Sequence, residues 1–225
     1  MAVCLDQITK YYGDKAVLQN FSLTFPERGI VCLYGASGCG KTTLLHILAG
    51  LDHAYTGSIS GMEGMRCSMQ FQEDRLLNWR NLEENIRLVN PDVDLDGLLQ
   101  TVELDGLQKV MPQALSGGMR RRAALARALG AESDILLLDE PFKGLDFALC
   151  ERLYPRIYAR TEGKLTILVT HDASAAALLG DLIYQLDGPP LYVTRKIPAP
   201  LPFLQRLALP EYREERRHWL EETEA

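Results

Sequence analysis

The stretch GASGCGKTT, Gly35 to Thr43, restricts what this 225-residue chain can fold into more than any other. It matches G-x-x-x-x-G-K-[ST], with Gly35, Gly40, Lys41 and Thr42 at the fixed positions. It follows the apolar run RGIVCLYG. It opens KTTLLHILAGL, where apolar residues recur at helical spacing until Gly50. Strand, glycine-rich turn and helix, in that order, make the setting in which the motif holds phosphates. Glycines let successive backbone N–H groups wrap an anion. Lys41 supplies a cation to the terminal phosphates, and Thr42 offers a hydroxyl to Mg²⁺. Ala36, Ser37, Gly38, Cys39 and Thr43 complete the cofactor-binding loop.

A second chemical unit lies in DILLLDE. Four apolar residues, Ile135 to Leu138, bury a strand and bring Asp139 and Glu140 to its carboxyl end, where open parallel sheets bind ligands. Asp139 is the candidate metal residue. Glu140 is the candidate general base, or the group that orients the attacking water. His171 ends another apolar strand, LTILVTHD. A lone histidine is ordinarily structural, but a parallel sheet would put this one at the same edge, able to donate to a γ-phosphate. Gln72 stands where strand character gives way to helices. A surface glutamine is the default there, and contact with Mg²⁺ or its water is the alternative. Tyr12, beside Gly13, is a candidate to stack on a base. Tyr11 competes for that role, and either tyrosine also suits an edge strand.

A further phosphate-facing turn is present in ALSGGMRRRAALARAL. Ser116, Gly117 and Gly118 sit just before a helical run, and a small-residue turn at a helix N-terminus suits an anion. One nucleotide site does not need two such turns.

Along the chain, AVCLDQI and VLQNFSLTF alternate as strands do, with YYGDK turning between them. TGSISGMEGMRCSMQF is punctuated by glycines and reads as a small hairpin. From Gln72 to about Gly130 helical character dominates, and Asn81 with Glu84 forms a capping box in NLEENIRLV. Strands then return in DILLLDE, KLTILVTHD, DLIYQLD and LYVT. Helices are expected at about Phe147 to Arg160 and Ala173 to Leu179. PEYREERRHWLEETEA reads as a charged surface helix. Near-continuous apolar strands between helices imply a mainly parallel sheet covered on both faces.

The net charge of −6 argues against general nucleic-acid binding, and Arg120 to Arg122 do not reverse that. The five cysteines form no C-x-x-C pair, so neither a disulfide nor a zinc framework is suggested and a reducing cytoplasm fits. No apolar run is long enough to span a bilayer, and no signal peptide opens the chain.

GASGCGKTT, FQED, LSGGM, LLLDEP, GLD and VTHD occur here in the order found in ATP-binding cassette transporter ATPases, which the chain resembles to about residue 195. The resemblance implies a P-loop NTPase core with a mainly parallel sheet, an antiparallel β subdomain and a helical insertion. The expected division is a single domain over 1–225. Within it, 1–71 and 131–200 form the catalytic core with the β subdomain, 72–130 the helical subdomain with the signature motif, and 201–225 a helical tail. ATP and Mg²⁺ are the implied cofactors. Tyr12 is implied as the adenine-stacking residue, Lys41, Gln72, Glu140 and His171 as catalytic, and Thr42, Gln72 and Asp139 as metal-binding. Ser116, Gly117 and Gly118, in the signature Leu115 to Met119, are implied to close on nucleotide held by a second copy of the chain, and Asp146, in the D-loop, is implied as a further cofactor-binding residue.

DEPFKGLD and FQEDRLLNWRN resemble importer subunits of the group handling nitrate, sulfonates, taurine and related solutes. Asn78 stands where that group commonly has Pro, and Arg121 where it commonly has Gln. The expected partners are membrane permease subunits, a second copy and, indirectly, a solute-binding protein, with no nucleic acid. The expected place is peripheral, on the cytoplasmic side of the membrane. The alternative function is a soluble cassette ATPase for assembly or remodelling, of the iron–sulfur scaffold or translation-factor type.

Overall fold

The computed structural model describes residues 2–222. Its first two strands, β1 (Val3–Tyr12) and β2 (Lys15–Phe25), pair antiparallel through the tight turn at Gly13. With β4 (Thr56–Ser60) they make a three-stranded antiparallel sheet of order β2-β1-β4. The second sheet has six strands. These are β3 (Gly29–Tyr34), β5 (Cys67–Gln70), β6 (Ile135–Asp139), β7 (Leu165–Thr170), β8 (Leu182–Asp187) and β9 (Tyr192–Pro198). Their order is β5-β6-β7-β3-β8-β9, parallel except for the last pair.

The continuous apolar strands are explained by burial on both faces. Ile30, Cys32, Leu136 and Leu138 face one apolar cluster, while Val31, Leu33, Ile135 and Leu137 face the other. The period-two alternation sends neighbouring residues to opposite layers. Helix α1 (Lys41–Leu48) lies in the layer beneath the antiparallel sheet. The other layer holds α2 (Leu82–Arg87), α3 (Leu95–Thr101), α4 (Gly117–Gly130), α5 (Phe147–Arg160), α6 (Ala173–Leu179), α7 (Phe203–Ala208) and α8 (Pro210–Glu221). Asn81 and Glu84 form the capping box of α2.

Two readings of the sequence are corrected. The stretch from Thr56 to Gln70 is not a hairpin. β4 pairs with β1, β5 pairs in parallel with β6, and the loop between them crosses from one sheet to the other. Met62 and Met65 of that loop pack on the apolar cluster around α1, as does Met69 of β5. Each strand finds a partner elsewhere, and the methionines anchor the crossing.

The charged tail helix is also not simply a surface element. Arg216 and Leu220 of α8 are buried. Arg216 Nη1 donates to Ala177 O at 2.8 Å and Gly180 O at 3.0 Å, satisfying carbonyls at the end of α6. Arg206 of α7 is fully buried, donating to Gly180 O and pairing with Asp181 at 2.5 Å. Residues 223–225 of the expected helix lie outside the described residues.

Candidate nucleotide site

Sheet order decides what meets at the carboxyl edge. β7 lies between β6 and β3, with Asp139 opposite Val169 and Tyr34 opposite Thr170. The segments that follow these strands carry Gly35, Glu140 and His171. Three stretches separated by about a hundred residues and by thirty are therefore neighbours at one edge.

The loop after β3 is shaped by its glycines. A Cβ at Gly35 would lie 2.2 Å from Leu186 O, and Gly40 has φ +121°, so neither position accepts a side chain without strain. Gly40 precedes α1 and no side chain caps that helix, which leaves the first-turn N–H groups facing the cleft for an anion. Lys41 is only 5% exposed. Its Nζ donates to Gly35 O and Ala36 O, each at 2.7 Å, and lies 3.6 Å from Cys39 Sγ. Cys39 is itself buried in the apolar cluster below the loop.

Thr42 Oγ1 donates to Asp139 Oδ2 at 2.9 Å. Asp139 Oδ1 is buried and has no hydrogen-bond partner among the described residues. Burial pushes the Asp139 carboxyl above the usual carboxylate range. The Thr42 hydrogen bond opposes this, and the Glu140 charge adds to it. A hydroxyl and a carboxylate with a spare buried oxygen form a hard-oxygen donor pair that fits Mg²⁺. Glu140 adopts φ +51° at the sharp turn out of β6, and its N–H donates to Val169 O at 3.0 Å. Glu140 Oε1 and His171 Nδ1 are 2.7 Å apart, so the two side chains form one unit.

Lys41, Thr42, Asp139 and Glu140 line a cleft of about 270 Å³ with Gln72, Tyr12, Lys15 and Lys143, and His171 is joined to it through Glu140. Tyr12, not Tyr11, borders the cleft, and the residue is 52% exposed. Its hydroxyl donates to Asp52 Oδ2 at 3.2 Å. Lys10, 4% exposed, reaches the same carboxylate at 2.7 Å and lies 4.8 Å from the Tyr12 ring centroid.

The second phosphate-facing turn is elsewhere. Ser116 caps α4 by accepting from Met119 N at 3.3 Å. Gly117 and Gly118 border a second groove with Arg120, Arg121, Glu73 and Asp74, which adjoins the cleft through Gln72 and Lys143. Asp146 accepts from Leu149 N at 2.9 Å and caps α5, also away from the cleft.

Sequence reasoning missed Lys15 and Lys143 at the cleft and the Lys10–Asp52 pair behind Tyr12. Lysines in strands and loops ordinarily read as solvated. Lys10 is turned inward onto Asp52, in the loop after α1, and no spacing in the sequence announces that partner.

A protein-family model described as ABC transporter matches residues 18–143. Among curated proteins, the chain is similar to an aliphatic sulfonates import ATP-binding protein, SsuB 2, of Burkholderia cenocepacia. The two are 40% identical over 194 residues, covering 80% of this chain and 72% of the relative. It is 41% identical over 223 residues to the protein named SsuB in Bacillus licheniformis, covering 93% of this chain and 88% of that one. Among solved structures, it is similar to a dimeric post-hydrolysis state of the ATP-binding cassette MJ0796 bound to ADP and Pi. That likeness has a TM-score of 0.76 at 27% identity, covering 87% of this chain and 98% of the other.

Proposed function

Because the chain belongs to the ABC transporter ATPase family, we propose that it is the ATP-hydrolysing subunit of an importer that takes up a small organic solute. The observation that carries the reading is the convergence of Lys41, Thr42, Asp139, Glu140 and His171 at one sheet edge. The fold is that of nucleotide-hydrolysing cassettes, and the relatives named as import ATP-binding proteins favour transport over assembly or remodelling.

The residues divide the work. Backbone N–H groups of Ser37 to Thr43 receive the phosphates, and Lys41 exchanges its loop carbonyls for phosphate oxygens. Tyr12 stacks on the base, held by Asp52 and Lys10. Thr42, Asp139 and Gln72 would hold Mg²⁺, which when bound neutralises charge on the transferred phosphoryl group. Glu140 orients the attacking water and accepts its proton, and His171 keeps Glu140 in place and donates toward the terminal phosphate. Water is the nucleophile, so no phosphoenzyme forms, and catalysis is positioning and charge stabilisation.

The two phosphate-facing turns serve two nucleotides. In a two-fold dimer, Ser116 to Gly118 of one copy close on the cleft of the other, and Asp146 approaches the same junction. The dimeric cassettes among the structural relatives support this arrangement. Among the described residues no helix is long and apolar enough to cross a membrane. The relatives named as import ATP-binding proteins support a reading in which the work passes to separate permease subunits. The site is then peripheral, on the cytoplasmic side, with a solute-binding protein delivering cargo to the permease. The names of the relatives point to an aliphatic sulfonate as the solute.

The test is ATP hydrolysis by the chain purified with its permease. The expected result is co-purification with membranes and ATPase activity stimulated by an alkanesulfonate with its binding protein. Hydrolysis confined to a membrane-free complex would overturn the importer reading. Stimulation by a different solute would overturn only the choice of cargo.

A further inference from the structure

Arg121 lies near the start of α4, one turn after the phosphate-facing residues. Its guanidinium joins segments that are far apart in sequence. Nη2 donates to Gln72 O at 2.9 Å and Nη1 to Lys143 O at 2.8 Å. Nε lies 3.5 Å from Asp74 Oδ1, and the side chain is 18% exposed. The first carbonyl belongs to a residue of the nucleotide cleft. The second belongs to the turn that leaves β6, where Lys143 N donates to Glu140 O at 3.2 Å.

Neighbouring arginines secure only one of these segments. Arg120 Nε is 3.7 Å from Asp74 Oδ2, and Arg127 donates to Arg75 O at 2.9 Å and Asp74 O at 3.3 Å. All these contacts fall on residues 74 and 75. Of these three arginines Arg121 is the one that bonds both Gln72 O and Lys143 O, and its planar fork fixes the angle between the two donors. A carbonyl shift of about 1 Å takes such a bond out of range, so α4 must follow the shift or lose the contact.

We infer that Arg121 is a positioning residue that couples a chain's own nucleotide cleft to the placement of the turn it presents to its partner. The inference rests on the dimeric ATPase reading above. When the Gln72 and Glu140 segments close on nucleotide, the fork carries α4 and Ser116 to Gly118 with them. ATP in one cleft thereby sets the geometry of the other.

The test compares the full-length wild type with R121K and R121Q. R121K keeps the charge but loses the fork, and R121Q keeps a planar donor on a shorter, neutral arm. Three quantities are measured: binding of a fluorescent N-methylanthraniloyl ATP with Mg²⁺, kcat, and the Hill coefficient for ATP. Wild type should bind and show a Hill coefficient above 1. Both variants should bind nucleotide about as well, lose about tenfold or more in kcat, and fall to a Hill coefficient near 1. A merely structural arginine would not move the Hill coefficient while leaving binding intact. R121K decides the matter if R121Q fails to fold, as judged by circular dichroism. A cooperative wild type whose R121K variant keeps kcat and cooperativity overturns the inference and leaves the ATPase reading standing. A non-cooperative wild type also overturns it. A wild type that binds no ATP analogue overturns the ATPase reading, and the inference with it.

Discussion

Replacing Lys41 with Met removes the ammonium and keeps most of the stem. In the structure that ammonium is bonded to Gly35 O and Ala36 O at 2.7 Å each and is almost wholly buried. Without nucleotide the substitution leaves the buried Gly35 carbonyl unpartnered, costing about 1–3 kcal/mol. Ala36 is exposed, and its carbonyl regains water. The apolar Met end, now buried, offsets roughly 1 kcal/mol, so net destabilisation should be near 1 kcal/mol, or a Tm drop of about 2–4 °C. The effect on nucleotide is larger. A cation about 4 Å from a phosphate charge is worth roughly 4 kcal/mol at an effective dielectric of 20. Subtracting about 1–2 kcal/mol for the carbonyl bonds given up leaves about 2–3 kcal/mol, a 30- to 150-fold loss in ATP affinity. Calorimetric titration with MgATP and a thermal melt on the same sample test both numbers. An affinity within about threefold of wild type would refute Lys41 as the phosphate cation. A collapse of the apo melt with affinity retained would mean that the lysine is structural.

Two further expectations address the base side of the cleft. Tyr12→Ala should raise KM for ATP by about 5- to 150-fold with little change in kcat, from a lost stacking contact of roughly 1–3 kcal/mol, while Tyr11→Ala leaves KM near wild type; equal effects in steady-state kinetics would remove the assignment. Asp52→Asn leaves the buried Lys10 without its carboxylate and should destabilise the protein by roughly 2 kcal/mol at pH 7, below the cost for a fully buried pair because Asp52 is partly in water. The Lys10 hydrogen bond holds the Asp52 carboxyl below its ordinary value, so its contribution is complete above about pH 4 and fades as pH falls through the folded-state pKa. Denaturant melts of wild type and variant should therefore converge in acid, and a constant gap would show that the pair is not the cause.

Much of this was legible in the sequence because periodicity and short-range chemistry carry it. Apolar runs ending in Gly35, Asp139 and His171 mark buried strands whose ends must meet once the sheet is parallel. The helix over Phe147–Arg160 follows from spacing, and the structure adds Asp146 as its cap. What was not legible depends on long-range partners. The pairing of β4 and β5 was misread because glycine punctuation suits a hairpin and a crossing loop equally well. Arg216 looked solvated, and Arg206 carried no signal, because nothing local shows that the carbonyls ending α6 await them. The clamp made by Arg121 likewise exists only once Gln72 and Lys143 are brought beside α4.

The central claim is that the turn at Ser116 to Gly118 serves the cleft of another copy. The native loop thiol, Cys39, is buried and unsuitable for crosslinking, whereas Ser37 and Ser116 are exposed. Both tests use the Glu140→Gln background, where ATP binding should survive while hydrolysis falls by about 10²-fold or more, leaving the closed state long-lived. Ser37→Cys and Ser116→Cys are made in separate chains, with the accessible Cys4 and Cys67 replaced by Ser. The two chains are mixed with MgATP and oxidised mildly, a bond that requires Cα atoms about 4.4–6.8 Å apart. The account expects a disulfide-linked dimer that needs both chains and ATP and disappears with reductant. A Ser37→Cys, Ser116→Cys double variant that instead closes its disulfide within one chain would contradict it.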